Sequence, residues 1–327
     1  MKNLAIIPAR GGSKMTPGKN IPNRNMNKLV LGTVQFGLDY GIVNKLGKPS
    51  LEDSLKMLAF AFQNGIRTFD TAFAYGDAEE ILGKFVVDNK LAGKVKIISK
   101  LKPNIFEGRS PEVSKYKIIK WEIEKSLNKL HIKSLDGYLL HTPAYIYDKK
   151  IVEALKQCKK EGLISNFGVS IYDAKDALYA VKDARVDYIQ IPYSVFDQRL
   201  DKTDFFKIAK KNNVKIFARS AFLQGLILMK NSMIPKHLSE AKKYLNTFDK
   251  IIGKHGFTRI QTAMLFSYSN SNIDSLVFGV DNVSQLKQNI GIANRAVDFE
   301  KCRAELEARF IPIKKSIIFP SLWSKKI

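Results

Sequence analysis

The sequence is poor in cysteine and has no long apolar run. Its two cysteines, Cys158 and Cys302, allow at most one disulfide and have no spacing typical of a metal site. No stretch reaches the about 18 consecutive apolar residues that a membrane-spanning helix needs. The apolar run that precedes Pro8 is too short for the core of a signal peptide. We therefore expect a protein of the reducing cytoplasm with no membrane partner.

Histidines are also few, and acidic residues are outnumbered. The four histidines are scattered, and none lies at a ligand spacing from a cysteine, so the sequence predicts no metal site. The 54 lysines and arginines exceed the 31 acidic residues, which gives a formal net charge of +23. These bases are spread over almost every predicted helix, as in KKNNVK at 210–215, and are not gathered among aromatic residues. This favours a solvated lysine-rich surface over a nucleic-acid site, and the positive charge would attract an anionic cofactor or substrate.

The chain alternates short β-rich runs with amphipathic stretches from about residue 28 onward. The predicted strands are 28–33, 67–71, 95–100, 135–141, 166–170, 188–193, 215–220 and 275–280. Eight alternations with almost continuously apolar strands indicate buried parallel strands, and eight is the strand count of a (β/α)8 TIM barrel. A doubly wound open sheet is the alternative architecture.

Helical periodicity is clear between several of these strands. Residues 51–65 and 117–130 are predicted helices, and Gly65 and Gly162 follow helices at the position where glycine commonly ends them. Within 117–130, the apolar residues that recur at helical spacing are Ile118, Trp121, Leu127 and Leu130. We expect this set to face the barrel.

Polar residues follow the predicted strands at the ends where TIM barrels carry their active sites. They are Asp70, Lys100, His141, Ser170, Gln190, Arg219 and Ser220. Taken singly, an aspartate after a strand is usually a turn or capping residue, and a lone histidine is usually structural. Because all of these polar residues are expected at the same end of one barrel, together they favour an active site.

The order and spacing of several motifs resemble those of the aldo-keto reductases over about residues 27–300. The motifs are LGTVQFG (31–37), TFDTAFAYGDAEEILGKF (68–85), KIISK (96–100), DGYLLHTP (136–143), NFGVSIY (166–172), IQIPYSVFDQR (189–199), ARSAFLQGLIL (218–228) and GVDNVSQLKQN (279–289). The resemblance implies a (β/α)8 barrel that reduces carbonyls with a nicotinamide dinucleotide. It also implies a catalytic tetrad of Asp70, Tyr75, Lys100 and His141.

The chemistry of carbonyl reduction explains these four residue types. Carbon receives a hydride and the emerging alkoxide needs a proton, for which the phenol of Tyr75, with an ordinary pKa of about 10, is the donor. An ammonium about 4 Å away would favour the phenolate by roughly 4 kcal/mol, so we expect Lys100 to lower the pKa of Tyr75, with desolvation opposing it. Asp70 would keep Lys100 charged and oriented, and His141 would donate a hydrogen bond to the carbonyl oxygen.

The resemblance also implies cofactor-binding positions. Gly32 and Thr33 would lie along the nicotinamide, Ser170 and Gln190 would bind its carboxamide, and Arg219 would stack on its ring. The family's common asparagine after this serine is replaced by Ile171. The implied residues of the pyrophosphate-facing loop are Ser220, Leu223, Gln224 and Gly225, and those of the adenosine-binding turn are Gly279, Gln285, Gln288 and Asn289.

The resemblance leaves the dinucleotide, the substrate and the oligomeric state open. Family usage favours NADP(H), but the turn at 279–285 has no base and carries Asp281, which suits the free 2′-hydroxyl of NAD(H). A small carbonyl compound is the expected partner. The expected walls of its pocket are Phe36, Tyr40, Phe73, Pro143 and Tyr145.

The N-terminus does not belong to the reductase pattern. Residues 4–21, LAIIPARGGSKMTPGKNI, resemble the opening of acylneuraminate cytidylyltransferases, in which this loop binds a nucleotide triphosphate. The rest of such an enzyme is missing, so we expect residues 1–26 to be a remnant, with a weak phosphate site as the alternative. The expected division is then 1–26 as this extension, 27–303 as the barrel and 304–327 as a C-terminal tail.

Three hypotheses follow for the function. The first is an NAD(P)H-dependent reductase of an aldehyde or ketone, with a sugar-derived carbonyl as one candidate and a tyrosine as proton donor. The second is a catalytically silent module that senses a nucleotide, and the third is the remnant of a CMP-sugar synthetase fusion.

Overall fold

A computed structural model of the chain describes residues 26–323, apart from positions 111, 113, 296, 311 and 312. The segment at 4–21 that resembles cytidylyltransferases lies outside the described residues, so its expected role stays a prediction. The described residues contain the whole span from the first predicted strand to the last.

Eight parallel strands form a closed barrel in chain order. They are β1 (Leu29–Gly32), β2 (Thr68–Asp70), β3 (Lys96–Lys100), β4 (Leu135–Leu140), β5 (Ile164–Ser170), β6 (Tyr188–Pro192), β7 (Lys215–Arg219) and β8 (Ser275–Phe278). The barrel closes where β1 pairs with β8, with Val30 opposite Val277. The predicted (β/α)8 barrel is therefore confirmed, each strand within two residues of its predicted bounds, and the doubly wound alternative is wrong.

Helices surround the strands. They are α1 (Val34–Gly37), α2 (Leu51–Gln63), α3 (Ala78–Asp88), α4 (Lys115–Leu130), α5 (Lys149–Lys160), α6 (Ala174–Tyr179), α7 (Phe205–Lys211), α8 (Ala241–Lys254), α9 (Arg259–Tyr268), α10 (Val283–Asn294), α11 (Glu300–Arg309) and α12 (Lys315–Ile318). Gly65 and Gly162 follow α2 and α5 with φ of +91° and +77°. This left-handed backbone, which glycine adopts without strain, explains their position after a helix.

The predicted buried face of α4 is wrong in part. Leu127 and Leu130 are buried as expected, but Trp121 is 54% exposed and the ammonium of Lys125 lies 3.2 Å from the centroid of its ring. The helix instead buries Ile119 and Ile123, together with polar residues of the same face. The buried face thus shares Leu127 and Leu130 with the expected set and differs from it in the first half of the helix.

A small apolar cluster fills the interior of the barrel below its C-terminal end. It consists of Val30, Ile98, Leu139, Tyr188, Phe217 and Val277. Within this cluster the ring centroids of Tyr188 and Phe217 are 4.9 Å apart. A second, much larger apolar cluster lies between the strands and the helices. The interior is therefore closed below the strand ends, and the space for a ligand lies at their C-terminal side.

The C-terminal residues pack against the barrel. Helix α11 crosses the boundary expected between 303 and 304, and within it Arg303 and Leu306 are buried. Pro320 and Ser321, which follow α12, reach the mouth of the barrel. In the part of the chain described by the structure, every helix is too short or too polar to cross a bilayer.

Candidate active site

Asp70 and Lys100 form a buried ion pair at the ends of β2 and β3. The Lys100 ammonium donates to both carboxylate oxygens of Asp70, at 2.8 and 2.7 Å, and to the carbonyl oxygen of Thr71 at 2.9 Å. All three ammonium donors are thus used, and both side chains are almost fully buried. The pair is oriented by adjacent parallel strands, because β2 and β3 bring their last residues to the same edge of the barrel.

Tyr75 lies above this pair, in the loop between β2 and α3. The Lys100 ammonium is 5.1 Å from the centroid of the tyrosine ring, and the His141 ring meets the tyrosine edge-on, with centroids 5.8 Å apart at 85°. A Cβ on Gly37 would overlap the carbonyl oxygen of Tyr75, so the first loop of the barrel packs directly on the tyrosine backbone. The structure thus brings together the four residues that the resemblance implies as a tetrad.

The expected lowering of the pKa of Tyr75 by Lys100 is wrong. Burial raises the pKa of Tyr75 well above its usual value, and the negative charge of Asp70 raises it further. The charge of Lys100 is balanced by direct contact with Asp70 and therefore offers little net attraction to a phenolate. Tyr75 is consequently a protonated phenol throughout the neutral pH range.

His141 is neutral for a related reason. Burial lowers the pKa of its imidazole to about 3, and the positive charges of Lys100 and Arg219 contribute in the same direction. Its Nδ1 atom is buried without a hydrogen-bond partner among the described residues. A neutral imidazole still donates one hydrogen bond, so His141 is suited to hold an oxygen atom rather than to supply a proton.

Two further polar residues are linked to the ion pair. The Nε2 amide of Gln190, at the end of β6, donates to Asp70 Oδ1 at 2.8 Å. The Ser170 hydroxyl, at the end of β5, donates to Gln190 Oε1 at 3.4 Å. Ser170, Gln190, Asp70 and Lys100 therefore form one buried network across the mouth of the barrel.

A cavity of about 540 Å³ opens over this network and extends to the start of α10. Its lining includes most residues assigned by the resemblance: Gly32, Thr33, Asp70, Tyr75, His141, Ser170, Gln190, Arg219, Ser220, Gln224, Gly225, Gly279, Gln285, Gln288 and Asn289. Lys100 lies behind Asp70 and is fully buried. Leu223 is also buried, in the main apolar cluster, and does not line the cavity.

Arg219 is held against Tyr172 at the cavity wall. The centre of its guanidinium lies 4.6 Å from the centroid of the Tyr172 ring, Nη2 donates to the Ile171 carbonyl oxygen at 2.9 Å, and Nη1 donates to Ser220 Oγ at 3.2 Å. Its aromatic neighbour was not among the residues predicted for the site. Tyr172 does stand two residues after Ser170 in the NFGVSIY motif, which is the signal that could have identified it.

The loops after β1 and β7 meet over the cavity. Gln224 has a left-handed φ of +52°, and its side chain donates to the hydroxyl of Tyr40 at 3.2 Å. Gly225 has a φ of +95°, and a Cβ there would overlap the side chain of Val43. Tyr40 therefore lines the cavity as expected, and this contact joins the two loops.

The far end of the cavity has the features of a binding site for a polar ligand. Asn289 is buried, and its Oδ1 atom has no hydrogen-bond partner among the described residues. Gln35 Oε1 is also buried without a hydrogen-bond partner among the described residues. The side chain of Gln35 occupies the space that a Cβ on Gly279 would take. Unpartnered buried amide oxygens are costly unless a ligand or water satisfies them. These residues fit a dinucleotide, whose adenine and ribose carry donors for such oxygens.

Four of the expected substrate-pocket residues lie elsewhere. Phe36 is fully buried in the main apolar cluster, and the hydroxyl of Tyr145 accepts a hydrogen bond from the Phe106 amide at 3.1 Å, away from the cavity. Phe73 faces outward, where the ammonium of Lys129 lies 5.0 Å from its ring. Pro143 also does not line the cavity. The cavity is instead bounded by Tyr172, and by Pro320 and Ser321 from the C-terminal segment.

Within the described ranges, no three or more His, Cys, Asp or Glu side chains are arranged to hold a metal ion. The two cysteines are both buried free thiols, and they lie outside the cavity lining.

The chain is similar to known proteins in both sequence and fold. The profile of the Aldo/keto reductase family matches residues 28–304. The uncharacterized oxidoreductase YqkF of Bacillus subtilis (strain 168) is 26% identical over 290 residues, which cover 82% of this chain and 92% of the relative. The L-glyceraldehyde 3-phosphate reductase of Escherichia coli (strain K12) is 22% identical over 316 residues, covering 85% and 89%. The solved structure of the aldo-keto reductase AKR11C1 from Bacillus halodurans, at 18% identity, superposes with a TM-score of 0.70 over 88% of this chain and 94% of the other, a likeness of fold.

Proposed function

Because the chain belongs to the aldo/keto reductase family, we propose that its cavity binds a nicotinamide dinucleotide beside a carbonyl substrate and that Tyr75 supplies the proton for the reduction. The protein is an oxidoreductase of a family that reduces carbonyls in general. The assignment of Tyr75 depends on one observation, namely that its phenol lies over the Asp70–Lys100 pair and edge-on to His141 at the deep end of the cavity.

Each residue of the tetrad has a defined part in this proposal. The bound dinucleotide supplies the hydride. The neutral imidazole of His141 donates a hydrogen bond to the carbonyl oxygen and so stabilises the negative charge that develops there. Tyr75, protonated because burial raises its pKa, then gives its proton to the alkoxide, which is a far stronger base than a phenolate. Lys100 and Asp70 lie beneath the tyrosine ring and support its position.

Ser170 and Gln190 are proposed to hold the carboxamide of the dinucleotide. Gln190 already donates to Asp70, so its Oε1 faces Ser170 and a ligand rather than the ion pair. At the other end, Asn289 and Gln35 offer unpartnered amide oxygens, and the absence of a side chain at Gly279 leaves room for Gln35. This distribution of polar atoms supports an extended ligand that spans the whole cavity.

Substitution of Tyr75 by phenylalanine tests the proton donor. We expect Tyr75→Phe to lose about 10²- to 10⁴-fold in turnover with a generic aromatic aldehyde, while it binds the dinucleotide as tightly as the wild type. The measurements are the absorbance of the reduced cofactor during turnover and the quenching of protein fluorescence on binding. Full turnover in the variant would remove Tyr75 from the chemistry. Tight binding without turnover by the wild type, on a broad set of carbonyls, would favour the silent nucleotide-sensing alternative.

For the dinucleotide we propose NADP(H), the usual reductant of the family, with NAD(H) as the alternative. Asp281 supports the alternative, because it lines the cavity beside Gln285 and a carboxylate there repels a 2′-phosphate. Parallel titrations with NADPH and NADH decide between them through the ratio of the two dissociation constants. A sugar-derived carbonyl remains a proposal that depends on the N-terminal resemblance, and release of pyrophosphate from CTP would be needed to support the cytidylyltransferase alternative.

A further inference from the structure

The ionisable groups at the deep end of the cavity do not balance in charge. Asp70 and Lys100 neutralise each other by direct contact, and His141 and Tyr75 are uncharged for the reasons given above. Arg219, on the same cavity wall, remains a full positive charge. The catalytic end of the cavity therefore has a net charge close to that of one guanidinium.

The contacts of Arg219 with the protein leave this charge uncompensated. Its hydrogen bonds go to a backbone carbonyl, that of Ile171, and to a hydroxyl, that of Ser220, and its face lies on the Tyr172 ring. Among the described residues, no carboxylate forms an ion pair with it, and nearby Asp197 is already held by Arg199 at 2.7 and 2.9 Å. Of the five N–H donors of a guanidinium, two are used.

Arg219 lies where it could bind a second group of a substrate whose carbonyl is held by the tetrad. It ends β7, whereas Asp70, Lys100 and His141 lie at or beyond the ends of β2, β3 and β4, across the mouth of the barrel. Its charge still reaches the reacting groups, because it lowers the pKa of His141 and acts in the same direction on Tyr75. A small molecule with its carbonyl at Tyr75 would thus have Arg219 within the same cavity.

We infer that Arg219 binds an anionic group of the substrate, a carboxylate or a phosphate, while the carbonyl of the same molecule lies against Tyr75 and His141. This rests on the proposed function and adds the substrate class to it. The stack on Tyr172 and the bond to Ile171 fix the plane of the guanidinium, which suits it to receive two oxygens of such a group in parallel. The anion would supply the counter-charge that the protein itself does not place beside Arg219.

The same guanidinium chemistry would also suit the diphosphate of the dinucleotide, since Ser220 begins the loop proposed to face it. The two sources are separated by a matched pair of aldehydes, 4-carboxybenzaldehyde and its uncharged methyl ester, methyl 4-formylbenzoate. Each is assayed with the full-length wild type and with Arg219→Met, Arg219→Lys and Lys102→Met. Lys102 is exposed just beyond β3 and does not line the cavity, so its variant removes one positive charge without touching the site.

We expect the wild type to prefer the acid over the ester by about 10- to 100-fold in kcat/KM, as for a hydrogen bond to a charged group. Arg219→Met should abolish this preference, Arg219→Lys should keep part of it, and Lys102→Met should keep nearly all of it. The readout is the ratio of acid to ester within each variant at saturating dinucleotide, so a general loss of activity from the expected contact of Arg219 with the nicotinamide cancels. The dissociation constant of the dinucleotide should stay within about twofold in Lys102→Met.

Three results are informative against the inference. Equal rates with acid and ester in the wild type would overturn it. So would an Arg219→Met variant that slows both aldehydes alike and keeps the wild-type preference for the acid, since Arg219 would then serve the dinucleotide alone. If neither aldehyde oxidises NADPH or NADH in any of the proteins, the proposed reductase function fails rather than the role of Arg219 alone.

Discussion

The backbones of Gly37 and Tyr75 touch so closely that any side chain on Gly37 would overlap the carbonyl oxygen of Tyr75. Gly76 repeats the contact from the other side, because a Cβ there would overlap the Gly37 carbonyl oxygen. The loop that carries Tyr75 is thus positioned by the first loop of the barrel, which also contains cavity-lining Thr33 and Gln35.

We predict that Gly37→Ala displaces Tyr75 and lowers kcat. A displacement of about 1 Å costs on the order of 10²-fold in rate when a reacting group leaves its productive position. The measurement is steady-state turnover with a generic aldehyde, alongside a fluorescence titration of the dinucleotide. Because the contact is to the tyrosine backbone, cofactor affinity should change much less than kcat. An equal loss of both would mean that the whole mouth of the barrel, rather than Tyr75, had moved.

The Asp70–Lys100 pair predicts a non-additive effect on stability. Lys100→Met leaves a buried carboxylate with Gln190 as its remaining side-chain partner, and breaking a buried pair in this way costs about 3–5 kcal/mol of unfolding free energy. The double variant Lys100→Met with Asp70→Asn removes the charge as well, so it should be more stable than the single variant. Urea unfolding monitored by circular dichroism measures both. A double variant no more stable than Lys100→Met would show that lost packing, not the unpaired charge, causes the damage.

The neutral state of His141 predicts a loss of stability in acid. The folded pKa of about 3 lies below the value of about 6.5 expected in the unfolded chain. Between these two values the unfolded chain binds the proton more tightly, so stability falls as the pH decreases from about 6.5 toward 3, by up to about 1.4 kcal/mol per pH unit. His141→Gln should lack this component, so the stability of the wild type relative to the variant should decline steadily over that range. The control is His237→Gln, at an exposed position, which leaves His141 in place and should therefore keep the decline in acid.

Two glycines inside helices predict opposite effects of the same substitution. Gly83 in α3 faces the backbone of α4, where a Cβ would lie 3.0 Å from Leu130 Cα and overlap the Lys129 carbonyl oxygen. Gly83→Ala should therefore destabilise the protein by about 1–3 kcal/mol, as overpacking does. Gly253 in α8 has no atom within 4 Å of such a Cβ, so Gly253→Ala should raise stability by roughly 0.5–1 kcal/mol through helix propensity. Thermal melts of the two variants compare them directly, and a stabilising Gly83→Ala would mean that α3 and α4 separate at little cost.

Local patterns in the sequence were sufficient to predict the fold and one rim of the site. The apolar runs located all eight strands, because a buried parallel strand needs apolar residues on both faces, whatever packs against it. Asp70, His141 and Gln190 could be assigned to one edge from the sequence, since parallel strands in a barrel all present their C-terminal ends on the same side. The resemblance to the aldo-keto reductases added the roles of these residues, which the pattern alone does not contain.

Tertiary structure decided the features that depend on contacts between distant segments. The apolar residues Phe36 and Phe73 sit in the right loops, but the packing of neighbouring helices turns one into the core and the other outward, and Pro320 from the C-terminal segment lines the cavity instead. The pKa of Tyr75 rises rather than falls, because burial disfavours the phenolate. Asp70 neutralises Lys100, so the ammonium attracts a phenolate only weakly. The burial of a side chain and the net charge around it depend on residues that are far apart in the chain. The sequence therefore determined which chemical groups the site contains, and the tertiary packing determined their pKa values and charges.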